Sequence, residues 1–153
     1  MNKRDFLDAV HHEWDTLSEA LRKVHPHLVP VPKFLGEWSI KDMIGHITSW
    51  EEECLERIEQ MRTKQAVRGL SDDAVHRWNR EHVEAKRFRS VEQIMDDFDT
   101  VHKRLLKELE SIAEGELVFK DGIEEWLIES TSAHYSEHRA VLEKVLSESA
   151  QTH

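Results

Sequence analysis

Ser39-Ile40-Lys41-Asp42-Met43-Ile44-Gly45-His46-Ile47-Thr48-Ser49-Trp50 reads as the first three turns of a helix. Ser39 can accept the backbone N–H of position 42 while Asp42 accepts the N–H of Ser39, an acidic form of the capping box. Beyond the cap, Ile40, Met43, Ile44, Ile47, Trp50, Cys54, Leu55 and Ile58 recur at helical spacing, so one face is apolar and the rest polar. His46 lies one turn from both Met43 and Trp50, on the border of that face.

Towards the N-terminus, residues 3 to 24 carry a second stripe of Leu7, Val10, Trp14, Leu17, Leu21 and Val24. It stops at His25-Pro26-His27, because a proline disfavours helical backbone at the residue before it, and Pro30 and Pro32 extend the break. Towards the C-terminus the pattern weakens after about residue 60. There Ser71-Asp72-Asp73 predicts the cap of a minor helix with Val75, Trp78 and Val83, inside a crossover over 60–89. Ser90 and Gln93 form an S-x-x-Q box that opens a third long helix with Val91, Ile94, Phe98, Val101, Leu105, Leu109 and Ile112. After Gly115 and an Asp121-Gly122 turn, a last helix over 123–148 has the seam Leu127, Thr131, His134, His138, Val141 and Val145.

Four long amphipathic helices, joined by two short links and one long one, predict an all-α four-helix bundle within residues 1–150, read as one domain. Short links make antiparallel neighbours, whereas the long crossover lets the third helix start at the same end as the second. The expected order is up, down, down, up.

Across 153 residues, 21 Lys and Arg face 31 Asp and Glu, a formal charge of −10. That balance repels phosphate backbones and anionic lipid, so nucleic acid and membrane are set aside as expected partners. No apolar run approaches a membrane span, and Cys54 is the single cysteine, so a reducing cytoplasm is the expected location. Cys54 itself reads as a small core hydrophobe.

The eleven histidines are the unusual feature of the composition. His134 and His138 fall within about 20° of the centre of the last seam, taking 100° per residue. Two imidazoles one turn apart can offer nitrogens to one ion, and His46 supplies a third from another helix, which leaves coordination positions open. These three are the expected metal ligands. Glu137 and His102 are candidates to support them, Glu137 flanking the pair and His102 lying beside Phe98 and Leu105. Trp38, Trp50 and His82 are candidate walls of a substrate site.

Trp38-Ser39-Ile40-Lys41-Asp42 through His46 resembles the W-S-x-K-D-x-x-x-H signature of the DinB/YfiT-like superfamily, and His134-Tyr135-Ser136-Glu137-His138 resembles its H-Y-x-E-H motif. Trp78-Asn79 is similar to the family's D-x-W-N stretch, without its acid. The resemblance implies a metal-binding four-helix bundle, often a homodimer, whose triad maps onto His46, His134 and His138. It further implies a divalent ion, nickel or zinc, and in some members a low-molecular-weight thiol. The expected activity is that of a metal-dependent hydrolase or thiol-dependent transferase on a small electrophile; the alternative is a non-catalytic metal-binding or sequestering protein of the resistance type. Fold and metal follow from such a resemblance more directly than the reaction does.

Overall fold

All three serines expected to open helices do so. Ser39 Oγ accepts Asp42 N at 3.0 Å while Asp42 Oδ2 accepts Ser39 N at 3.0 Å. Ser90 and Gln93 make the same reciprocal pair at 3.1 and 2.9 Å, and Ser71 Oγ accepts Ala74 N at 3.2 Å. Each such cap contributes about 1 kcal/mol. The computed structural model describes residues 2–63, 65, 69–113, 115 and 123–151; the expected Asp121-Gly122 turn lies outside them. The helices are α1 (Lys3–Arg22), α2 (Ile40–Arg62), α3 (Asp72–Lys86), α4 (Val91–Ser111), α5 (Ile123–Ser130) and α6 (Ser132–Gln151), with a 3-10 turn at Pro26–Leu28.

Side-chain pairings give the helix directions. Lys3 Nζ donates to the carbonyls of Glu110 and Ile112, and Trp14 stacks on Phe98 with centroids 4.2 Å apart, so α1 and α4 run antiparallel. Glu51 meets His102 and Arg62 pairs with Glu108, so α2 and α4 run parallel. His46 meets His134, further along the chain Glu51 meets Tyr135, and Arg57 lies over Trp126, so α2 opposes α5 and α6. These relations are the expected up, down, down, up bundle. Val10, Leu17, Ile40, Ile47, Phe98, Leu105, Leu109, Leu127 and Leu142 fill its interior, each buried aliphatic or aromatic side chain contributing roughly 1.5–3 kcal/mol.

Two elements differ from expectation. The crossover helix is not minor: α3 has 15 residues and packs on α2, where Asn79 Oδ1 accepts Trp50 Nε1 at 2.8 Å and Lys86 Nζ donates to Glu52 Oε1 at 2.9 Å. The last helix is two helices, broken at Thr131. Thr131 Oγ1 donates back to the Leu127 carbonyl at 2.6 Å, and Thr131 N bonds the Ile128 carbonyl three residues back, which tightens the turn. The break shifts the helical phase. Tyr135 and Leu142 are buried in place of the expected Val141, which is 45% exposed, and the two histidines of the seam stand half-buried on a cavity wall.

Candidate metal centre

His46 sits two turns into α2, and the turn before that helix closes around it. Gly36 adopts φ +80°, a conformation that favours glycine, and lets Leu35 N reach the Trp38 carbonyl at 2.7 Å. Trp38 is thereby laid against the His46 ring, centroids 4.6 Å apart. Opposite, one turn of α6 presents His134 and His138.

The three rings converge through their Nε2 atoms. His134 Nε2 lies 3.1 Å from His46 Nε2 and 2.9 Å from His138 Nε2, and one nitrogen of each ring falls within 4.8 Å of the others. Burial lowers the pKa of His46 to about 2, with further lowering from His134, His138 and Lys86. Burial likewise lowers His134 to about 3, with His138 adding to it, and His138 to about 4. At neutral pH all three are uncharged and carry lone pairs.

The protein alone does not satisfy these nitrogens. If the protons sit on Nδ1, three Nε2 lone pairs face one another; if they sit on Nε2, they crowd the same point. Nδ1 of His46 and of His134 is buried without a partner among the described residues. A cation among the Nε2 atoms resolves the first case, so the donor set fits a divalent ion with nitrogen affinity. A cavity of about 570 Å³ opens directly onto the triad, a volume in the range of small-molecule sites.

Its lining gathers some of the expected residues and omits others. Trp38, Trp50 and Glu137 line it with the triad. His82 does not: its Nδ1 lies 2.8 Å from the Trp78 carbonyl and its ring stacks on Trp78, which in turn backs Trp50 at 4.3 Å. His102 is also absent from the lining, buried beneath the site with its ring stacked on Trp14, centroids 3.4 Å apart. Cys54 is buried in the core as expected. His11, His12, His25, His27 and His76 are exposed.

Sequence reasoning missed the acid beneath the triad. Glu51 is fully buried; its Oε2 accepts the Tyr135 hydroxyl at 2.7 Å and lies 2.7 Å from His102 Nδ1. Burial raises the Glu51 pKa, opposed by those two hydrogen bonds. Its signal was an acid spaced four residues from both Ile47 and Leu55, on an otherwise apolar stripe. Arg57, Trp126, Glu129 and Asn79 were also missed as lining residues, because the break at Thr131 and the length of α3 decide them.

A family model described as the DinB superfamily matches residues 5–147. The chain belongs to the DinB superfamily. No curated protein matches this DinB-superfamily chain by sequence. Its fold is similar to that of the colibactin self-resistance protein ClbS in complex with a dsDNA, at 14% identity and a TM-score of 0.82 over 95% of each chain. It is similar to the sibling lethal factor precursor DfsB, at 12% identity and 0.80 over 97% of each chain. An uncharacterised protein from Escherichia coli UTI89 shares 15% identity and a TM-score of 0.85, over 97% of this chain and 95% of its own.

The DNA-bound neighbour corrects one expectation. Acidic net charge argues against nucleic acid as a partner, yet this bundle fold occurs with a duplex bound. Net charge sums over a whole surface, whereas binding depends on the local field. Among the described residues no helix is long and apolar enough to cross a membrane.

Proposed function

We propose that the chain is a divalent-metal-dependent enzyme, a hydrolase or thiol-dependent transferase, that acts on a small electrophilic molecule in the cavity beside His46, His134 and His138. The observation that carries this reading is the convergence of three Nε2 atoms on a cavity wall, which leaves one side open to a reactant. Nickel and zinc suit a set of three neutral imidazoles. When bound, such an ion supplies Lewis acidity that makes a water or a thiol nucleophilic at neutral pH.

The remaining work falls to the chain. The three histidines stay neutral because they are buried, so they keep their lone pairs for the ion. Trp38 and Trp50 wall the triad with aromatic surface and limit water around the reacting atoms. Glu137 is exposed on the same cavity, one residue from His138, and accepts the proton that an entering nucleophile gives up.

A sequestering role is the second reading, favoured by the fold likeness to a self-resistance protein, and that neighbour's duplex places DNA among the ligands to test. Elemental analysis of untagged protein should find near-stoichiometric divalent metal. Azide or a thiol should perturb the absorption spectrum of the cobalt-loaded form, and metal-loaded protein should turn over a panel of electrophiles with water, bacillithiol, mycothiol or glutathione. Folded protein that takes up no metal overturns the reading. Metal without turnover, with stoichiometric retention of an electrophile or a duplex, favours sequestration.

A further inference from the structure

The cavity has a second pole, away from the triad. Arg57 is 8% exposed yet lines the cavity. Its guanidinium carbon lies 5.7 Å from the Trp50 ring centre and 5.5 Å from that of Trp126, so two indoles hold the charged plane. Nε donates to Glu53 Oε1 at 3.2 Å, and the two terminal nitrogens make no hydrogen bond among the described residues. Trp126, also on the lining, has its Nε1–H buried with no acceptor among them. Two sets of donors therefore lack oxygen partners at one end of the cavity. The acids that share the lining, Glu129 and Glu137, are exposed and solvated.

His46, Trp50 and Arg57 share one face of α2, since eleven residues bring Arg57 round to within about 20° of His46. The Trp50 ring joins the poles: 5.7 Å to the Arg57 guanidinium and 6.5 Å to the His134 ring. A flat apolar strip thus runs from the triad to a guanidinium whose charge is paired through Nε with Glu53 and whose terminal nitrogens have no partner among the described residues. A planar fork with free terminal N–H groups matches a carboxylate or phosphate in two parallel hydrogen bonds.

We propose that Arg57, held between Trp50 and Trp126, is the specificity-determining residue of the cavity and binds an oxyanion at the end of the substrate remote from the triad. The substrate class is then an elongated small molecule with an apolar middle and a carboxylate or phosphate terminus. The inference deepens the proposed function and rests on its choice of cavity, but it does not require the metal.

The test uses full-length protein stripped of metal with EDTA, so that direct coordination of the probe contributes nothing. Three probes of one length are titrated against intrinsic tryptophan fluorescence: 4-phenylbutyrate, 4-phenylbutyl phosphate and the neutral 4-phenylbutyramide. Wild type should bind one or both anions at least tenfold more tightly than the amide, and the preferred anion separates carboxylate from phosphate recognition. Arg57→Gln should lose that preference, and Arg57→Lys, which keeps the charge without the fork, should retain only part of it. Thermal melts identify any variant that is unfolded, and Arg57→Lys then carries the comparison. Equal binding of amide and anions by wild type, or an undiminished preference in the folded variants, overturns the proposal. His134→Ala should keep the anion preference, so failure of the metal reading and failure of this one give different results.

Discussion

The Tyr135 hydroxyl donates to Glu51 Oε2 across 2.7 Å, tying the helix that carries His134 and His138 to the helix that carries His46. The same oxygen lies 2.7 Å from His102 Nδ1 of α4, so one carboxylate gathers three helices directly beneath the triad. Neither Tyr135 nor Glu51 has access to solvent. Tyr135→Phe preserves shape and removes one donor. It should cost about 1–3 kcal/mol, the range for leaving a buried acceptor short of a donor, measured by urea unfolding of the metal-free protein. Metal affinity, read by chelator competition, should fall about tenfold as His134 loses its fixed support.

Metal should stabilise the fold through the triad alone. At a free concentration one hundred times Kd the linkage is about 2.7 kcal/mol, which for a chain of this size raises Tm by about 5–10 °C. Calorimetry with and without zinc or nickel should show that rise in wild type. His134→Ala and His138→Ala should abolish it.

The metal-free protein should lose stability on acidification, starting near pH 6.5. All three triad pKa values lie below the unfolded value of 6.5, at about 2, 3 and 4. Between pH 6.5 and about 4 the unfolded chain therefore binds more protons than the folded one, and stability falls with pH. Glu51 acts in the opposite sense above its unfolded value of 4.5, because its raised pKa lets the folded state take a proton first. Urea midpoints from pH 7.5 to 4.5 should decline, and less steeply in a His134→Gln, His138→Gln double variant. Equal slopes in wild type and in the double variant contradict the neutral triad.

Any thiol chemistry must come from a second molecule and not from Cys54. Burial raises the Cys54 thiol pKa far above its ordinary value, with the Glu51 charge adding to it. A buried thiol of this kind is inert. Iodoacetamide at pH 8 should leave native protein unmodified by mass spectrometry and alkylate Cys54 once urea is added.

Caps and stripes carry strong local signals, which is why Ser39, Ser71 and Ser90 and the bundle order were legible in the sequence. The triad was legible for a related reason: His134 and His138 share a turn, and His46 follows a cap that fixes its phase. The Thr131 break was not, because a threonine at a seam position reads as a small core residue and its back-bond to Leu127 is visible only in three dimensions. Glu51 looked like an error in an apolar stripe until Tyr135 and His102 supplied its partners. Arg57 looked like half of an ordinary i,i+4 pair with Glu53, and its place between two indoles depends on a helix seventy residues away in the chain. Nucleic acid was wrongly set aside because a sum of charges carries no map.

His46 and His134 are 88 residues apart in the chain, and their nitrogens meet only across the assembled bundle. Bringing such distant positions together has an entropic cost that the apolar core, through contacts such as Leu17, Leu105 and Leu127, must meet before the rings approach. In a partly folded chain His134 and His138 are still one turn apart, but the third nitrogen is missing. The site is therefore a record of completed assembly: whatever binds at full strength there distinguishes finished molecules from those in which α2 and α6 have not yet come together.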